Sequence, residues 1–189
     1  MQVFLSLGHN NARNWINDHG KFRLSFYKDQ GTVSWDDTEF KYSQKIANEI
    51  KKMWNIPNVD LEIVPEGLNL QDRIKYINEN SFNKDFCIEL HMDSAKPTAA
   101  WCSTWYISAS DYAEGKAKVF QMEYTRVTGI KWRWVHGDLS NRLGRLAFVR
   151  DTRPLAFLLE MGFISNEGDR NLVWTKAASG IYSAIQKIL

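Results

Sequence analysis

Cysteine is almost missing from this chain, with two in 189 residues, and neither Cys87 nor Cys102 belongs to a Cys-x-x-Cys pair. A disulfide framework is excluded as the source of stability, and at this length none is needed, because one domain buries a full core. Both thiols fall inside apolar runs and are expected buried and free, a disulfide between adjacent strands being the alternative. Charge of one sign is scarce too: 24 Lys and Arg against 22 Asp and Glu leave a net +2 with no basic tract. That mild bias excludes the electrostatic footprint of a nucleic-acid binder. No apolar stretch is long enough to cross a membrane, and no basic n-region precedes the first strand, so neither membrane insertion nor a secretory signal is read. Repeats, low-complexity segments and Pro/Gly/Ser linkers are missing as well, which argues against a second binding module.

What is present is the composition of a globular domain, 44% hydrophobic and 24% charged. Eight tryptophans and seven tyrosines are many. Most are expected to pack the core, with some lining a groove that stacks on sugar rings.

Apolar runs and helical stripes alternate along the chain. Strands are expected at 2–7, 60–64, 85–91, 101–107 and 154–160, with a short one at 146–149. Helices are expected at about 38–54, 70–79, 111–127 and 170–188, and 129–145 reads as irregular. This order predicts an α/β fold, a single three-layer domain of 1–189 with a mainly parallel twisted sheet of about six strands and helices on both faces. Phe22 to Tyr27 alternates, Asp29-Gln30-Gly31 offers a turn and Thr32 to Trp35 returns, so a β-hairpin insertion is expected at about 20–36.

Three apolar runs end on residues able to bind metal or move protons: Val3 to His9, Phe86 to His91, and Leu155 to Glu160. In open α/β sheets the functional crevice lies beyond the carboxyl ends of the strands. His9, His91 and Glu160 would therefore converge from distant parts of the sequence, which points to a metal hydrolase. Catalytic zinc takes three protein ligands and a water, and two histidines with one carboxylate are a common set. Glu39 is the best third ligand, because Ile46 and Ile50 place it on the inward stripe of its helix. Glu160 ends an apolar strand, where burial raises a carboxylate's pKa and suits it to proton transfer; a buried salt bridge to Arg150 or Arg153 is the alternative. Glu89 shares the face of His91 and would either compete as a ligand or orient one. His136 lies in a Trp/Arg-rich polar stretch that would be an exposed loop or a contact to substrate.

In order, these blocks resemble the zinc-dependent N-acetylmuramoyl-L-alanine amidases of the Amidase_3 type. Leu5 to His9 is similar to that family's opening strand and Gly-His motif, and Glu39 with Ile46-Ala47 to its Glu…Ile-Ala helix. Leu70 to Arg73 with Asn78 looks like its Leu-x-x-Arg…Asn helix, and Ile88 to Ala95 its Ser-x-His-x-Asn-Ala strand. Leu158 to Asn166 closely follows Leu-x-Glu-x-Gly-Phe-Ile-Ser-Asn. The resemblance implies His9, Glu39 and His91 as ligands of one Zn²⁺ and Glu160 as the catalytic glutamate. It further implies hydrolysis of the amide between the lactyl group of N-acetylmuramic acid and L-alanine of the stem peptide, with glycan strand and stem peptide as partners.

Departures fall around the metal: Asn10 where glycine is usual, Glu89 for serine, Asp93 for asparagine, and a long interval from His9 to Glu39. Asn10, Asp93, Arg73, Glu89 and His136 are accordingly expected next to the ligands or against substrate. Without an export signal, the expectation is synthesis in the cytoplasm and action on the wall after holin-mediated release, as in a phage endolysin. Two alternatives share the ligand set: a zinc carboxypeptidase-type hydrolase of another stem-peptide bond, and an inert peptidoglycan-binding relative.

Overall fold

The computed structural model describes residues 1–9, 38–140 and 145–189 in full, and the backbone of 14–18, 21–25, 33–34 and 37. In chain order the elements are β1 (Gln2–Leu7), β2 (Asn14–Asp18), β3 (Lys21–Ser25), β4 (Val33–Ser34), β5 (Asp37–Thr38) and α1 (Glu39–Met53). There follow β6 (Asp60–Ile63), α2 (Leu70–Asn80), β7 (Phe86–Asp93), β8 (Cys102–Tyr106) and α3 (Asp111–Thr128). The chain closes with β9 (Trp132–Gly137), a 3-10 turn at Asp138–Ser140, α4 (Ala147–Asp151), β10 (Leu155–Phe163) and α5 (Glu167–Ile188).

Six strands form one sheet in the order β6-β1-β7-β10-β8-β9. The first four run parallel, β8 is antiparallel to β10, and β9 runs parallel to β8. The three central strands β1, β7 and β10 are apolar on both faces, because helices cover both sides. Phe4, Cys87 and Ala156 pack on one face with Ile74 and Ile77 of α2 and Phe148 and Val149 of α4. Leu5, Ile88, Leu90, Phe157 and Leu159 pack on the other with α1, α3 and α5. The expected three-layer α/β domain is what the chain forms.

Side-chain caps fix where the helices start. Thr38 Oγ1 accepts the amide of Lys41, Asn69 Oδ1 that of Asp72, and Asn166 Oδ1 that of Asp169. Because Thr38 caps α1 immediately before Glu39, the carboxylate sits in the first turn, at the mouth of the sheet.

Local expectations change in four places, and the buried free thiols hold. The stretch read as irregular contains β9, an edge strand. The short strand expected at 146–149 is instead the start of α4, since a short apolar run does not by its period separate strand from helix. Lys21–Ser25 pairs with Asn14–Asp18, while Val33–Ser34 pairs with Asp37–Thr38. The hairpin partners thus differ from those expected, because alternation sets a strand's faces and not its neighbour; the anticipated turn at 29–31 lies outside the described residues. Cys87 and Cys102 are both buried and free, and β10 separates their strands, so the disulfide alternative falls away. Among the described residues no tryptophan is fully buried: Trp132, Trp134 and Trp174 are exposed and Trp54, Trp101 and Trp105 intermediate. Phenylalanine and aliphatic side chains fill the core instead.

Candidate active site

His9 follows β1, His91 lies near the end of β7, and Glu39 opens α1. Their ligand atoms all come within 4.8 Å of one another. The two imidazoles meet edge to face at 5.1 Å, and His9 Nε2 is 3.6 Å from Glu39 Oε2. Two imidazoles and a carboxylate gathered at one point are the donor set of a catalytic zinc site. The residues present fit that ion.

Glu39 is 2% exposed and is docked on β7 as well as on the histidines. Its Oε1 accepts the Met92 amide at 3.0 Å and lies 2.8 Å from His91 Nδ1. The other imidazole nitrogen, Nε2, is 3.1 Å from Glu89 Oε2. His91 therefore sits between two carboxylates. Burial alone would lower its pKa, but the hydrogen bonds to Glu39 and Glu89 outweigh burial and hold it well above the usual histidine range.

Glu89 has a fixed place of its own. Its Oε1 accepts from Arg73 Nη2 at 3.0 Å, from Arg73 Nε at 3.2 Å and from the Ser6 hydroxyl at 3.2 Å. Arg73 also donates to the Gly8 carbonyl at 2.7 Å. Gly8 is required by this packing: a methyl group on its Cα would overlap the His91 ring.

Glu160 pairs with His91 across the β7–β10 ladder. Its strand does not end there; it continues to Phe163 through a register shift between Glu160 and Phe163. Such a bulge re-aims a side chain beside a site. Arg150 pairs with Asp138 and Arg153 donates to the Ser81 carbonyl, which removes the salt-bridge alternative for Glu160. Its Oε2 is buried with no hydrogen-bond partner among the described residues. Burial, reinforced by Glu39, Asp93 and Glu89 and opposed by His91, raises its pKa to about 8. Asp93, half-buried at the end of β7, is raised by burial as well.

A cavity of about 230 Å³ opens beside the cluster. Gly8, His9, Glu89 and His91 form its polar side, and Leu70, Leu146, Phe148 and Leu158 its apolar side. Sequence reasoning did not find that apolar wall or Ser6, since both depend on which elements the sheet brings together.

Other expected residues have different positions. His136 is not in a loop: it belongs to β9 and stacks on Trp105 at 4.4 Å. Burial, with Arg133 nearby, lowers its pKa. Asn10 lies outside the described residues. Asn78 holds the segment before β10, donating to the Asp151 carbonyl at 2.8 Å and accepting the Arg153 amide at 2.6 Å. Ser165 Oγ accepts the Ala95 amide and Asn166 donates to the Pro97 carbonyl. The tail of the Glu160 block therefore ties down the loop after β7.

Comparison with known proteins gives one consistent picture. The Amidase_3 family model, described as N-acetylmuramoyl-L-alanine amidase, matches residues 3–187. Among solved structures, the catalytic domain of the amidase CwlV from Bacillus (Paenibacillus) polymyxa superposes with a TM-score of 0.74 at 20% identity, over 98% of this chain and 96% of that one. The amidase Ami1 from Mycobacterium smegmatis gives 0.76 at 19%, over 100% and 96%. The catalytic domain of the CD27L endolysin targeting Clostridia difficile gives 0.72 at 17%, over 100% and 96%. At these identities the likeness to the solved structures is one of fold. No curated protein matches the chain.

Proposed function

The chain belongs to the Amidase_3 family of N-acetylmuramoyl-L-alanine amidases, and from that premise we propose that it cleaves peptidoglycan with one Zn²⁺ held by His9, Glu39 and His91. The amide hydrolysed is the one joining the lactyl group of N-acetylmuramic acid to L-alanine of the stem peptide. The observation that carries the metal assignment is the convergence of these three donors within 4.8 Å, next to a glutamate whose Oε2 has no partner among the described residues. A zinc ion bound there would polarise the scissile carbonyl and acidify a water at the fourth position.

Glu160 is the proton-transfer residue of this scheme. Its buried Oε2 accepts the proton of the attacking water and returns it to the leaving alanine nitrogen. A buried carboxylate with a pKa raised to about 8 holds a proton readily. The positive charge of a bound ion would oppose that elevation and favour the carboxylate that accepts the water's proton.

Glu39 is oriented by the Met92 amide and keeps one oxygen on each histidine. Glu89 acts as a positioning residue that fixes the His91 ring through Nε2, leaving Nδ1 turned toward Glu39 and His9. Arg73 and Ser6 keep Glu89 from turning inward as a competing ligand.

Two measurements test the scheme. On purified wall, new L-alanine amino termini are expected; release of D-amino acids instead would overturn the amidase assignment. His9→Ala protein is expected to lose stoichiometric zinc, and retention of a full equivalent would refute the ligand set.

A further inference from the structure

Beyond the metal centre, one cross-strand row reaches the sheet edge. His91 pairs with Glu160, Glu160 with Ser103, and Ser103 with Trp134. One row deeper, Leu158 pairs with Trp105 and Trp105 with His136. Neighbouring strands lie about 4.8 Å apart, so Trp134 stands roughly 10 Å from Glu160 along the row.

The two share a face of the sheet. Leu159 packs into the larger core and Leu158 into the smaller one, so Glu160 faces the smaller-core side. Val135 contacts the larger core and Trp105 the smaller one, which turns Trp134 and His136 the same way as Glu160.

The rings there are organised. His136 stacks on Trp105 at 4.4 Å and has Trp134 at 6.0 Å. The Arg133 guanidinium covers Trp101 at 4.1 Å and reaches Trp134 at 5.4 Å. Trp101 meets Phe163 of β10 edge to face at 4.6 Å. An aromatic surface thus runs from the strand of Glu160 to the edge strand. Trp134 is 51% exposed and Trp132 45%. Large indoles left open on an edge strand are a liability unless a partner covers them.

We propose that this shelf is a saccharide-binding subsite, in which Trp134, held by Arg133, takes the face of an N-acetylated hexosamine ring of the glycan strand. The proposal rests on the reading that the neighbouring centre acts on peptidoglycan. An indole face is electron-rich and flat, and it complements the apolar, C–H-bearing face of a pyranose. A stem peptide would instead call for free cations to meet its carboxylates, whereas the Arg133 guanidinium already lies over two indoles. The separation from Glu160 is on the scale of a disaccharide, so a sugar on Trp134 belongs to the same strand as the muramic acid being cut.

The test uses peptide-free glycan oligosaccharides and intact peptidoglycan. Indole fluorescence should report oligosaccharide binding by the whole protein, weakened about tenfold in Trp134→Ala, the scale of losing one ring-stacking contact. Trp134→Phe should recover most of it, and Trp174→Ala, on the opposite face, should not change it. On peptidoglycan, Trp134→Ala should raise KM about tenfold with kcat within twofold. Equal KM for wild type and Trp134→Ala, or a Trp134-dependent affinity for stem peptide and not for glycan, overturns the subsite. Absence of any L-alanine release by the wild type overturns the amidase reading instead, and leaves the oligosaccharide measurement to stand or fall separately.

Discussion

Glu89 and His91, two residues apart on β7, meet on one face of the strand with Glu89 Oε2 3.1 Å from His91 Nε2. The carboxylate is anchored from behind by Arg73, so turning the imidazole would break its contact to a carboxylate that is held in place. Glu89→Gln preserves the shape and removes the charge. Zinc affinity is expected to fall about 10- to 100-fold, measured by chelator competition, alongside a loss of stability because buried Arg73 loses its carboxylate. Arg73→Ala leaves Glu89 buried without its guanidinium and should destabilise the fold by up to roughly 3–5 kcal/mol, read from denaturant unfolding. Unchanged zinc affinity in Glu89→Gln would remove the positioning role.

Proton release on metal binding follows from the same contacts. With its pKa held well above the histidine range by Glu39 and Glu89, His91 carries a proton in the metal-free protein at neutral pH. That proton must leave before a lone pair can reach an ion. Zinc binding should therefore tighten as pH rises and release about one proton from this group, measured by calorimetry in buffers of different ionisation enthalpy. A pH-independent affinity between pH 6 and 8 would contradict it.

Stability of the metal-free protein should move the opposite way. A carboxyl raised from 4.5 to about 8 on folding holds a proton that the unfolded chain has lost. Its contribution is fully present below pH 4.5 and is lost as pH rises through about 8, with a slope of at most about 1.4 kcal/mol per unit. His91, also raised, adds a loss of the same sign above the ordinary histidine range. Glu160→Gln should flatten the first part of the profile, between about pH 4.5 and 5.5, where His91 remains charged in both states. Thermal unfolding across pH in the presence of chelator measures this.

Much of the site was legible because burial leaves a pattern. The apolar runs of β1, β7 and β10 mark strands covered on both faces, and their ends carry His9, His91 and Glu160. Glu39 was found from the helical stripe it shares with Ile46 and Ile50. By contrast β9 was missed, because its first three residues are exposed and an edge strand in contact with solvent lacks the buried alternation that identifies one. Arg73 and Ser6 lie 16 and 83 residues from Glu89, and only the folded sheet shows that they share it. Leu146 to Val149 gave an apolar run too short for its period to distinguish α4 from a strand.

Gly8 sets the distance between β1 and the His91 ring. Gly8→Ala places a methyl against all three side-chain atoms nearest that site, which belong to the imidazole. Overpacking of this kind costs about 1–3 kcal/mol, and relief by rotating His91 would break its contacts to Glu39 and Glu89. Reduced zinc loading is expected together with a lowered Tm. Native zinc loading with an unchanged Tm would show that the ring has room to move.

Asn166 distinguishes structure from chemistry within one sequence block. It caps α5 through the Asp169 amide at 3.0 Å and donates to the Pro97 carbonyl at 2.7 Å, while Glu160, six residues earlier, has an oxygen with no partner among the described residues. Asn166→Ala should therefore lower stability by about 0.5–2 kcal/mol through the lost cap, with zinc affinity retained. Glu160→Gln should do the reverse at neutral pH, retaining fold and zinc while kcat drops about 10²- to 10⁴-fold through the lost proton transfer. Unfolding curves, zinc content and L-alanine release measured on both variants decide it. If Glu160→Gln hydrolyses peptidoglycan at the wild-type rate, proton transfer belongs to another group.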